Sequence, residues 1–68
     1  MENLTVKQMR LIKGKTQEAC AEAICVHVNT YRRLEANPED FSVRQAVDLC
    51  EFLGCPYNSV NFLSKTST

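Results

Sequence analysis

His27, Asn29, Arg32 and Arg33 fall within seven consecutive positions. An asparagine amide sets a donor beside an acceptor, and a guanidinium carries a fork of donors. Both can therefore make paired hydrogen bonds to a flat partner such as the edge of a nucleic-acid base. On a helix advancing about 100° per residue, Val28, Asn29, Arg32 and Arg33 span an arc of about 140°, and His27, Thr30, Tyr31 and Leu34 take the opposite side. One face would then pack while the other is free to bind. Catalysis has less support, because the chain holds one histidine, no phosphate-cradling glycine loop and no nucleophile placed with a base. It is expected not to be an enzyme and to need no cofactor.

Cys20 and Cys25 are five apart, as are Cys50 and Cys55. Five residues turn a helix by about 500°, leaving the two side chains about 140° apart, so neither pair shares a helical face. The spacing also misses the C-x2-C knuckle that commonly holds zinc, and no metal site is expected. Cys20 and Cys50 lie among alanines and leucines, where a free thiol packs as a small hydrophobe. Packing is the favoured reading of all four, with metal or redox chemistry as the alternative.

These residues need short helices to position them. Thr5-Val6-Lys7-Gln8 matches a capping box and opens a first helix in which Val6, Met9 and Ile12 recur at helical spacing. Gly14 supplies a stop. Thr16 caps a second helix with Ala19, Cys20, Ala23 and Ile24 on its apolar side, and Ala19, Ala21 and Ala23 are small enough to let another helix approach closely. Cys25-Val26-His27 reads as a tight turn before a third helix, Val28 to Leu34. Pro38 ends any continuation. Ser42-Val43-Arg44-Gln45 is a second capping box, and the helix it opens would bury Val43, Ala46, Val47, Leu49, Cys50 and Leu53, leaving Phe52 outside, with Gly54 as its stop. A short last helix around Ser59 to Leu63 would add Val60, Phe62 and Leu63 to the core, and 64–68 reads as a loose tail. No strand is evident. The pattern predicts an all-α fold, a compact bundle of four to five short helices forming one domain over 1–63.

A chain of 68 residues is one small domain, and a core of that size rarely contributes more than about 3 to 5 kcal/mol alone, which favours a partner subunit. Eight basic and eight acidic residues cancel. Their distribution is uneven: up to Glu35 there are six Lys/Arg against four Asp/Glu, and beyond it two against four. No apolar stretch approaches the length of a membrane span, and Met1 to Thr5 does not open a secretory signal. A soluble, cytoplasmic protein without a membrane partner or small-molecule substrate is expected.

Thr16-Gln17-Glu18, Ala21, Val26, Thr30, Arg33 and Glu35, followed by Leu49, Leu53 and Gly54, together resemble the lambda-repressor-like (Cro or XRE-type) helix-turn-helix family of phage and bacterial regulators. The resemblance runs from about Val6 to Leu63, with the helix-turn-helix at about 16–35. It implies a DNA-binding transcriptional regulator in a bacterial or phage-infected cell. It also implies a structural salt bridge between Arg10 and Glu35, and phosphate binding by Gln17 at the start of helix 2. Base reading maps onto Val28, Asn29 and Arg32, with His27 and Arg33 beside them. Lys13, Lys15 and Arg44 are candidate phosphate contacts. Two positions depart from the family: Cys25 stands where glycine is usual, and His27 where serine or threonine usually caps the recognition helix. Tyr31 is expected to pack its ring and send its hydroxyl outward.

The leading reading is a homodimer on near-palindromic operator DNA, one recognition helix per major groove, with Phe52, Tyr57 and Phe62 as the candidate dimer surface. The chain would then be either a stand-alone Cro-like protein or the DNA-binding part of a longer repressor. The alternatives are a protein-interaction module on the same fold, as an antitoxin uses, and a cysteine-based redox or metal sensor.

Overall fold

The computed structural model describes residues 4–62. A two-residue strand, β1 (Leu4–Thr5), leads into α1 (Val6–Ile12), and α2 (Gln17–Ala23) and α3 (Val28–Ala36) follow. A 3-10 turn, Pro38–Asp40, precedes α4 (Val43–Leu53), and a second, Tyr57–Ser59, leads to the strand β2 (Val60–Asn61). The fold is mostly helical. Both capping boxes are formed: the Thr5 hydroxyl accepts from the Gln8 N–H and the Gln8 side chain accepts from the Thr5 N–H, with the same exchange between Ser42 and Gln45. The Thr16 hydroxyl accepts from the Ala19 N–H at 3.0 Å. Each cap satisfies amide donors that the first turn of a helix leaves open.

Val6, Met9, Cys20, Ala21, Ile24, Tyr31, Leu34, Leu49, Cys50, Leu53 and Val60 form one buried cluster between the helices. Two expected core positions are exposed, and Val47 is only half-buried. Ile12 is 65% exposed, because Val6, Met9 and the buried Arg10 set the inward direction of α1 and Ile12 points about 110° away from their mean. Val43 is 73% exposed: it occupies the first position of α4, one turn ahead of the first core contact, Ala46. Phe52 lies on the outer side of α4, as the sequence pattern indicates, with the Lys15 ammonium 5.2 Å from its ring centroid.

The end of the chain differs from the helix expected around Ser59 to Leu63. Pro56 lacks an amide donor and sits in extended backbone, only one 3-10 turn follows, and Val60 then adopts φ −118°, ψ 134°. A helix of five residues would not recover its nucleation cost. Val60–Asn61 instead pairs in parallel with Leu4–Thr5, in the register Leu4 to Val60 and Thr5 to Asn61, so a two-stranded sheet ties the two ends of the fold together. Leu63 and the 64–68 tail lie outside the described residues.

Glycine ends α4: Gly54 is left-handed at φ 75°. Cys25 takes the same conformation after α2 at φ 62°, the one non-glycine residue among those described with positive φ. A β-carbon there crowds the following carbonyl, and the exposed Cys25 side chain gives no packing in return. Cys25→Gly is therefore expected to raise stability by about 0.5 to 1 kcal/mol, read as a higher urea midpoint at unchanged slope.

Candidate nucleic-acid interface

Glu35, in the last turn of α3, is the meeting point of three helices. Its carboxylate accepts from Arg10 Nε at 2.8 Å and Arg10 Nη2 at 3.4 Å (α1), from Gln17 Nε2 at 2.9 Å (α2), and from the Tyr31 hydroxyl at 2.8 Å (α3). The Arg10 and Glu35 side chains are only 9% and 6% exposed. Arg10 Nη1 also donates to the Lys15 carbonyl at 3.0 Å, binding the turn between α1 and α2 to the same group. Two charges are tolerated here because each has several hydrogen-bond partners.

Burial pushes the Glu35 carboxyl up, but the bonds from Arg10, Gln17 and Tyr31 outweigh it and leave the group below its ordinary range. The same bond to Glu35 raises Arg10 despite its burial. Tyr31 is raised by burial first and by Glu35 next. Its hydroxyl does not point outward as expected. Tyr31 is fully buried, and its hydroxyl reaches the carboxylate one helical turn away. The four-residue spacing of Tyr31 and Glu35 was the signal for that contact, since such pairs share a helical face.

From this buried centre a chain of bonds runs to the surface. Gln17 Oε1 accepts from Arg32 Nε at 3.2 Å, Arg32 Nη1 donates to Asn29 Oδ1 at 3.0 Å, and Arg32 Nη2 lies 3.7 Å from the Glu18 carboxylate. Gln17, Glu18, Asn29 and Arg32 thus form one cluster across the first turns of α2 and α3. Glu18 was missed at the sequence level: only the packing of α2 against α3 brings it beside Arg32. His27 starts α3, its Nδ1 accepting from the Asn29 N–H at 3.1 Å, so the ring replaces the usual hydroxyl cap. Arg33 is exposed, while Val28 is half-buried against the core and shows only part of its side chain to the outside.

The other candidates are more dispersed. Lys13 is exposed, and Lys15 is half-buried with its ammonium over Phe52. Arg44 is exposed on α4 and paired with Asp48 at 3.2 Å. Among the aromatics, Phe62 is half-buried, stacked on Tyr57 at 5.5 Å and edge-on to Phe41 at 5.4 Å; Tyr57 remains 47% exposed. Among the described residues, no group of three or more His, Cys, Asp or Glu could hold a metal ion, and no helix is long and apolar enough to cross a membrane.

Two short helices joined by a tight turn, the second capped at its start and showing Asn29 and Arg32 outward, have the layout of a major-groove reading motif. A family model described as helix-turn-helix matches residues 6–59, from the start of α1 through the second 3-10 turn. The chain belongs to that helix-turn-helix family. The branch is the Cro and XRE-like one, a DNA-binding, non-enzymatic family. Comparisons with curated proteins and with solved structures returned no match. Within this helix-turn-helix domain, α2 and α3 are the paired helices and Cys25-Val26-His27 the turn between them.

The depressed Glu35 carboxyl gives the domain an acid limit. A group whose folded pKa lies below its unfolded value contributes stability above that unfolded value and loses it as pH falls through the folded one. Stability should thus decline as pH drops below the ordinary value of 4.5. Glu35→Gln should be less stable at neutral pH and show a flatter decline. Urea midpoints for both proteins across acidic pH check this, and parallel profiles would contradict it.

Proposed function

We propose that this helix-turn-helix protein is a sequence-specific transcriptional regulator that reads operator DNA in the major groove with α3, as a homodimer. The supporting observation is the Asn29–Arg32 hydrogen bond on the exposed face of α3, backed by Gln17. With its oxygen engaged by Arg32, the Asn29 amide keeps its N–H donors for base acceptors, and the Arg32 guanidinium is oriented beside it before any DNA arrives. Ordering these side chains in advance reduces what binding must supply.

In this reading Asn29 and Arg32 make the principal base contacts, with Val28, Arg33 and His27 flanking them. Gln17, Lys13, Lys15 and Arg44 meet phosphates and fix the register. Lys15 and Arg44 would exchange their contacts with Phe52 and Asp48 for phosphate, a small loss for the exposed Arg44 pair. Two copies would place their α3 helices about 34 Å apart on successive major grooves. Exposed aromatic area at Phe52 and at Tyr57, the latter stacked on Phe62, supports assigning the dimer surface to the last third of the fold.

Titration of a selected duplex pool over a range of salt, for the native chain and the Asn29→Ala/Arg32→Ala double variant, tests the reading. The native chain should bind selectively and weaken steeply with salt. The variant should lose about 2 to 5 kcal/mol of discrimination while keeping most of its salt dependence. A folded protein that binds no duplex at low salt would overturn the reading in favour of a protein-interaction module.

A further inference from the structure

The two cysteine pairs share a spacing but not a geometry. At the end of α4 the Gly54 N–H donates to the Glu51 carbonyl at 3.2 Å and the Cys55 N–H to the Cys50 carbonyl at 3.1 Å. That pattern is a Schellman motif, in which the residue after the left-handed position folds back onto the one five places earlier and their side chains meet. Here those two residues are Cys50 and Cys55. The motif that ends α2 is shifted by one residue relative to its cysteines: the Cys25 N–H donates to Glu22 and the Val26 N–H to Ala21 at 3.0 Å. Ala21 and Val26 are therefore the pair that meets. Cys20 stays in the core and Cys25 faces solvent. The helical-wheel argument that separates both cysteine pairs thus fails for the second, because Cys55 follows the left-handed Gly54 and folds back onto Cys50, whereas Cys25 is itself the left-handed residue.

We infer that Cys50 and Cys55 form a two-electron dithiol site that closes to an intramolecular disulfide by exchange with a small-molecule disulfide. Their backbone hydrogen bond limits the α-carbon separation to roughly 7 Å, the span below which a disulfide can bridge two cysteines. Cys55 is partly exposed and Cys50 is buried in the core cluster, which sets the order of events. The Cys55 thiolate attacks one sulfur of the disulfide RSSR, giving a mixed disulfide and releasing RSH once the leaving thiolate takes a proton. Cys50 then gives up its proton to solvent and attacks Cys55 Sγ, forming the Cys50–Cys55 bond and releasing the second RSH. Two electrons pass to the small molecule. Burial first, and the neighbouring Cys55 second, push the Cys50 thiol up to about 12, so the second step is the slow one and accelerates with pH.

Glutathione redox buffers of graded ratio, applied to the folded chain and to the same chain in urea, test the site by peptide mass mapping. The Cys25→Ser variant removes the competing exposed thiol. The expected result is a Cys50–Cys55 disulfide whose formation constant is at least about tenfold larger in the folded chain than in urea, preceded by glutathione on Cys55 that clears faster as pH rises. An equal or smaller constant in the folded chain, or glutathione that stays on Cys55 with Cys50 reduced, would overturn it. The readout involves no DNA, so its outcome is separate from that of the regulator reading.

Discussion

One carboxylate sets the relation between the first three helices. Glu35 is nearly inaccessible to water, and its oxygens are met by a guanidinium from α1, an amide from α2 and a hydroxyl from its own helix. A buried anion this well satisfied rests in one geometry, because moving any helix by an ångström would strip a partner from a charge that water cannot reach. In a domain this small the hydrophobic cluster alone leaves orientation loosely specified. The polar centre supplies direction where apolar contacts supply only cohesion. Gln17 carries that order outward, since one end of its amide bonds the buried carboxylate and the other bonds Arg32 on the face assigned to DNA.

The helix ends are the second organising feature. Side-chain caps at Thr5, Thr16, His27 and Ser42 start the four helices, and left-handed residues at Gly14, Cys25 and Gly54 follow the first, second and fourth. Where the left-handed residue falls relative to a cysteine pair decides whether the thiols meet. One residue of offset separates a core thiol and a surface thiol from a pair joined by a backbone hydrogen bond.

Much of this was legible in the sequence because it depends on local chemistry. The caps are read from residue types three apart, and the outward set on α3 from a periodicity of about 3.6. What was not legible depends on partners distant in the chain. The strand Val60–Asn61 exists because Leu4–Thr5 offers it open backbone groups, and five residues of local pattern do not reveal a partner at the other end of the molecule. Ile12 and Val43 satisfy a helical wheel, yet whether a wheel position is covered depends on where the neighbouring elements stop. From sequence Tyr31 reads as amphipathic, with its hydroxyl outward, because the depth of Glu35 is a property of the assembled helices. Glu18 joins Gln17, Asn29 and Arg32 for the same reason.

The Arg10–Glu35 pair seats α3 against α1. A double-mutant cycle with Arg10→Met, Glu35→Leu and the combination, followed by urea unfolding, tests it most directly. Each single change leaves a buried charge without its counter-charge, so each should cost about 3 kcal/mol. The double change should cost far less than their sum, giving a coupling of about 2 kcal/mol or more. Additive losses, with a coupling under about 0.5 kcal/mol, would show that the pair acts as two independent groups and contradict the account.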